Sequence, residues 1–269
     1  MSRLLNPALE AFLETVKPEL VFAQVRIRRQ PGGFELSHVD DVHPATALKK
    51  VATGDARTLA QYDENRAYRP LKSAPDLRRG WRIVVADPQE LWDVMNQLYP
   101  GALGDWFAMR GGQARVTHYR EFVERQTGMY RITAMLTDAQ AGRVARACCA
   151  ARFCLKRRCW TVEGLAPDAP AEKSLIPCLE PCAVLLEFAR TSMRLEQQDK
   201  AELALSLDEL ESLSSALERA IHEPANARAA DLAAPDNRRR LQWMLEKIQE
   251  AKNDLKSKGK SSPDPREPD

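Results

Sequence analysis

At 269 residues, with 44% apolar and 29% charged side chains, the chain can bury a sizeable core, and its formal net charge of +2 creates no global pull toward nucleic acid or a membrane surface. No stretch approaches the roughly 18–20 consecutive apolar residues that span a bilayer. The opening MSRLLNPALEAFLETV is interrupted by Asn6 and Pro7 where a secretion signal would stay apolar. The expected setting is the reducing cytoplasm, in which clustered cysteines serve as metal ligands rather than as disulfides.

Leu4, Leu5, Ala8, Leu9 and Phe12 recur at helical spacing, so the first 20 residues read as a helix. Residues 21–28 alternate as a strand, Gln30-Pro31-Gly32-Gly33 is a turn, and residues 34–39 alternate again, which together make a β-hairpin. Two short helices are expected over 44–52 and 55–61, the second capped by Asp55. Trp81–Val85 is a third strand. Asp87-Pro88 then starts a helix whose apolar stripe is Leu91, Trp92, Met95 and Leu98, closed by Tyr99-Pro100-Gly101. From about residue 117 the sequence is mostly helical. Thr137-Asp138-Ala139-Gln140 is a capping box that opens a helix running into Cys148-Cys149. A loop rich in Gly, Pro and Asp follows Trp160, and Pro181 sits near the start of a helix from Ala183 to about Gln198.

Ser206-Leu207-Asp208-Glu209 is a second capping box, followed by Leu207, Leu210, Leu213, Leu217 and Ile221 at helical spacing. A last helix over 236–256 carries Leu241, Met244, Leu245, Ile248 and Leu255. Such stripes suit packing against their own domain, with a partner surface as the other use. The tail KSKGKSSPDPREPD is too poor in apolar residues to fold. The expected class is α+β and helix-rich: a small N-terminal sheet region over 1–112, a mainly helical cysteine-bearing domain over 113–200, accessory helices over 201–256 and a disordered tail over 257–269.

The cysteines carry the chemistry. Cys148-Cys149 is followed by Cys154 and Cys159 in the run CCAARFCLKRRCW, and Cys178 and Cys182 form a C-x3-C framed by Pro177 and Pro181. Two close groups separated by a loop are how one chain wraps a metal centre, and thiolates are the preferred ligands of iron–sulfur clusters and zinc. The C-x3-C stands at a helix start, where free N–H groups carry positive partial charge and favour an anionic ligand set. Either Cys148 or Cys149 can partner Cys154. Cys148 continues the apolar stripe of Ala141, Val144 and Ala145, so Cys149 is the preferred ligand, giving the set Cys149, Cys154, Cys178 and Cys182. Cys159, in a basic and aromatic setting, reads as a non-ligand. Neither pair has the C-x2-C spacing common in zinc knuckles. The expected cofactor is an iron–sulfur cluster, for electron transfer or redox sensing; the alternative is a zinc- or cluster-stapled interaction module without redox activity.

The stretches HYREFVERQTGMYR, DAQAGRVARACCAARFCLKRRCW and KSLIPCLEPCAVLLEFAR, between Arg115 and Arg190, resemble a bacterial family of 4Fe-4S cluster-binding domains. In some members this domain is joined to a sirohydrochlorin cobaltochelatase-like domain. The upstream RPLKSAPDLRRGWRIV and LYPGALGDW are similar to what precedes the cluster domain there, so the resemblance covers roughly residues 60 to 190. It implies a [4Fe-4S] centre with Cys154, Cys178 and Cys182 on matching positions and one of Cys148 or Cys149 completing the set, and a link to tetrapyrrole metabolism. Chelatase activity is not carried over, because no separate chelatase domain is legible. The spacing that uses Cys148, C-x5-C then C-x3-C, is also similar to the cluster motif of sirohaem-dependent sulfite and nitrite reductases.

Little else suggests catalysis. His38 and His43 flank Asp40-Asp41 and read as a polar loop after a strand, and His118 stands just before the cysteine region. No phosphate loop, dinucleotide fingerprint or nucleophile–base pair can be named, so the expectation leans away from an enzyme. Between Arg110 and Arg158 there are eleven basic residues against Glu121, Glu124 and Asp138. Gathered on one face they would receive an acidic redox partner or an anionic tetrapyrrole. The interleaved aromatics that stack nucleic-acid bases are missing.

Overall fold

In the computed structural model, which describes residues 6–41, 47–61, 77–124, 128–169, 175–198, 204–222 and 234–259, the chain groups into two units. The first comprises residues 1–122, 154–161 and 165–182, and the second residues 123–153, 162–164 and 183–269. The architecture is α+β and helix-rich, as the sequence leads one to expect.

The first unit is built on a five-stranded sheet. Helix α1 (Pro7–Thr15) is capped by Asn6, whose side chain accepts from the Ala8 N–H at 2.9 Å; Leu4 and Leu5 lie outside the described residues. The single strand expected over 21–28 is two strands, β1 (Glu19–Phe22) and β2 (Val25–Gln30). Ala23 turns the chain back with φ +54°, so that Phe22 faces Val25 and both are fully buried. Strand β3 (Gly33–His38) pairs antiparallel with β2 and with β5 (Trp81–Val85). The helix expected over 44–52 is also corrected. Lys49–Lys50 form β4, parallel to β5, because the N–H groups of Lys49 and Val51 donate to Gly80 and Arg82 carbonyls at 3.0 and 2.9 Å; residues 42–46 lie outside the described residues. Asp55 ends a 3-10 turn (Thr53–Asp55) before α2 (Thr58–Gln61), and its carbonyl rather than its carboxylate accepts from Thr58. The strand order is β1-β2-β3-β5-β4.

Helices α1, α3 (Pro88–Leu98) and α4 (Ala102–Arg110) cover this sheet. Leu91, Met95 and Leu98 are fully buried against Ile27, Leu36 and Ile83, and Phe12 meets Phe22 and Trp106 edge-on at 5.5 and 5.7 Å. Ile176 belongs to the same core although it lies far along the chain.

The second unit is helical: α5 (Arg131–Met135), α6 (Asp138–Cys149), α7 (Ala183–Gln197), α8 (Leu207–His222) and α9 (Arg238–Gly259). Both capping boxes form, at Thr137/Gln140 and Ser206/Glu209. Helix α9 packs on α8 and on α6, so the C-terminal helices make a hairpin within their own unit. It extends through Gly259, past the expected start of the tail; residues 260–269 lie outside the described residues. The expected α8 stripe is shifted, with Leu210, Ser214 and Ile221 buried and Leu207 and Leu213 exposed. In α9, Trp243 and Leu245 are buried and Met244 is exposed. Charge joins α6 to α7 and α9: Arg143 pairs with Glu196 at 3.2 Å and Glu250 at 2.7 Å, and Arg146 with Glu246 at 2.7 Å. Arg143 and Glu196 are nearly buried, where removing one partner costs about 3–5 kcal/mol.

Gly33 opens β3 at φ +154°, and a Cβ there would stand 2.1 Å from the Val85 carbonyl oxygen. Gly33→Ala is expected to destabilise the protein by about 3 kcal/mol or more in chemical denaturation, as a backbone clash at a special φ does. Gly54→Ala, which meets nothing within 4 Å, should stay within about 1 kcal/mol of the parent.

Candidate metal centre

A two-strand ladder carries the centre. After Ile176 enters the core, β7 (Pro177–Cys178) pairs in parallel with β6 (Arg157–Arg158), Arg158 opposite Cys178. The Arg157 N–H donates to Ile176 at 2.8 Å and the Cys159 N–H to Cys178 at 2.9 Å. Helix α4 packs on β7, tying the ladder to the sheet's covering layer.

Cys178 is 8% exposed, and its thiol donates to the Glu180 carbonyl at 3.2 Å. Burial pushes this thiol up to about 12, and the charges of Cys182 and Cys154 push in the same direction. The Trp160 N–H and the Lys156 ammonium act against them. Cys182 and Cys154, two further expected ligands, therefore both lie close enough to act on Cys178. Cys182, half-buried, immediately precedes α7, and Cys154, also half-buried, opens the segment that leads into β6. Among the described residues, no three Cys, His, Asp or Glu side chains close on a single-ion position.

The other cysteines divide cleanly. Cys148 is buried on the face of α6 that also buries Ala141, Val144 and Ala145, while Cys149 ends that helix half-buried. Both lie in the second unit. Cys159 is buried, its thiol donates to the Arg157 carbonyl at 3.3 Å, and it is not among the groups acting on Cys178. His118 pairs with Thr161 and rests against Tyr119 with ring centroids 5.0 Å apart. His38 is buried and accepts from the Asp40 N–H at 3.1 Å, which makes it part of the loop; His43 lies outside the described residues.

Two contributors were not visible as such in the sequence. Trp160 is 1% exposed, and its buried indole N–H has no hydrogen-bond partner among the described residues, sulfur included, although Trp160 is among the groups that act on Cys178. Leaving such a donor unmet costs about 1–3 kcal/mol. Arg158, 3% exposed, is the second. Its guanidinium lies 5.2 Å from the Trp160 ring, donates to the Trp160 and Ala166 carbonyls and pairs with Asp168 at 3.4 Å. The Asp168 carboxylate also accepts from the Arg158 backbone N–H at 2.8 Å. Arg158, like Arg143 and Arg146, is therefore held by acidic partners within its own unit. On α4, burial raises Asp105 above the usual carboxylate range; Lys156 offsets this and Glu180 adds to it.

Residues 111–191 match the model of a 4Fe-4S iron–sulfur cluster binding domain, and residues 6–110 match a DR2241 stabilising domain. The segment 111–191 is a 4Fe-4S cluster binding domain. The chain is also similar to the crystal structure of DR2241 from Deinococcus radiodurans, at 26% identity and a TM-score of 0.57, over 70% of this chain and 41% of that one. That structure is described as a multi-domain protein with structural similarity to chelatases and two additional novel domains. This chain thus spans under half of that protein's length. No curated protein matches it.

The residues of the cluster binding domain fit such a group. Burial and the sulfurs of Cys182 and Cys154 oppose ionisation of Cys178, and iron would be the positive partner that relieves it. The orphaned Trp160 N–H is a donor suited to a ligand sulfur. Substituting Cys154, Cys178 or Cys182 by Ala is expected to strip iron and sulfide from the purified domain, while Cys159→Ala retains them by elemental analysis. In the apoprotein the raised Cys178 pKa stabilises the fold below the ordinary thiol value of 9.0, and that contribution is lost as pH rises toward about 12. The melting temperature of the apoprotein should therefore fall above pH 9, and Cys178→Ser should weaken the dependence.

Proposed function

We propose that the chain uses its [4Fe-4S] centre for one-electron transfer or redox sensing in the cytoplasm, with Cys149, Cys154, Cys178 and Cys182 as the four ligands. The observation that supports this reading is the match of residues 111–191 to a 4Fe-4S cluster binding domain, whose Cys178 ends a buried strand with Cys182 and Cys154 acting on it. Bound there, the cluster supplies reversible one-electron chemistry. The protein's own residues hold it, shield it and set its charge balance. The β6–β7 ladder holds Cys178 in place, α4 covers the strand, and Lys156 adds a positive charge nearby.

Cys149 as the fourth ligand rests on its position five residues before Cys154, a span of at most about 18 Å, and on Cys148 being committed to the face of α6. The absence of a nucleophile–base pair from the sequence motifs supports a carrier or sensor over an enzyme. The partner is an acidic redox protein or an anionic tetrapyrrole, met by basic residues such as half-buried Lys156 and Arg157. The tetrapyrrole link draws on the chelatase-like description of DR2241.

Anaerobic titration with dithionite tests the redox role. About one electron per chain should bleach the visible absorption near ~400 nm and raise a paramagnetic signal, reversibly on reoxidation. A chain with one bound zinc and no redox response would favour the stapled interaction module instead.

A further inference from the structure

Resting on the cluster-binding reading above, the geometry points to Trp160 as a hydrogen-bond donor to the Cys178 sulfur of the bound centre, one that raises its reduction potential. Trp160 is 1% exposed, and its Nε1 is a buried donor without any hydrogen-bond partner among the described residues, so a sulfur made anionic by metal binding is what it lacks. An indole can only donate, so it cannot reverse its role to satisfy itself. The ladder sets Cys178 level with Arg158, two positions before Trp160, and the Cys159 N–H donates to the Cys178 carbonyl at 2.9 Å, so Trp160 and Cys178 are diagonal neighbours on one face of the ladder.

The ring is fixed from both sides of the chain. Behind it, Arg158 donates to the Trp160 carbonyl, lies 5.2 Å from the ring centroid and reaches across to Ala166 and Asp168. Ahead of it, the Thr161 N–H donates to Thr117 at 3.0 Å, and the Thr161 carbonyl accepts from the Tyr119 N–H at 2.8 Å. An indole held this way needs little movement of its ring when charge changes. Reduction adds one electron, drawn in the test from the electrode, and increases negative charge on the ligand sulfurs. A fixed N–H donor stabilises the more negative state, so the potential rises. The Arg158 guanidinium is the positioning residue in this scheme, and Trp160 is the donor.

The test is the midpoint potential of the intact chain, measured by anaerobic spectroelectrochemistry, for the parent and for Trp160→Phe. The expected result is a cluster retained at unchanged iron and sulfide content with a more negative potential. A second replacement keeps the ring and removes only the N–H: site-specific incorporation of the benzothiophene analogue of tryptophan at position 160. It decides the matter if Trp160→Phe fails to fold or to load, and the same negative shift is expected. An unchanged potential in a loaded analogue protein overturns the donor role while leaving the cluster intact. A parent chain that holds no iron and sulfide overturns the cluster reading, and the donor role with it.

Discussion

Thiols that share a buried site cannot all carry charge unless something positive lies among them. Around Cys178 this constraint is concentrated: burial and the sulfurs of Cys182 and Cys154 all oppose its ionisation, and only Trp160 and Lys156 favour it. Ionisation of Cys178, costly beside its neighbours alone, would become favourable once iron neutralised the sulfurs. The protons leave as the metal enters, so loading and thiol ionisation are one linked process. The remaining features of the centre follow from keeping these donors in place while empty and ready to ionise when filled.

The scaffold meets that need with few parts. Ile176 buries itself in the core of the sheet unit, and the next two residues form the strand that ends in Cys178. The β6–β7 ladder is only two residues long, too short to stand alone, and is tied to the sheet unit by Ile176 and α4. Arg158 gives the ladder its inner support. A fully enclosed guanidinium is tolerated only when its donors are met, and here two carbonyls and Asp168 meet them. The second unit adds charge to burial, with ion pairs from Arg143 and Arg146 linking α6 to α7 and α9.

Much of this was legible in the residues. Capping boxes at Thr137 and Ser206, the Asp87-Pro88 helix start and the alternation of Trp81–Val85 are local signals, and each holds in the fold. The failures are non-local. Lys49-Lys50 becomes a strand because β5 offers it partners, and 21–28 splits because Phe22 and Val25 both seek one core. The cysteine grouping announced a cofactor, and the family likeness named it; the matched domain over 111–191 agrees. Arg158 and Trp160 were hidden because a basic–aromatic run looks the same whether it faces a partner or, as here for these two, the interior. A signal was present in their adjacency to Cys159 and in the alternation of a short strand, too brief to read alone.

The central claim is that this chain holds a four-iron cluster on cysteine sulfur. Native mass spectrometry of the anaerobically purified protein, with iron, sulfide and zinc determined on the same sample, tests it most directly. The account expects one added mass per chain matching about four irons and four sulfides, without zinc. A chain that carries a single zinc ion, or that stays cluster-free after anaerobic reconstitution with iron and sulfide, would contradict it.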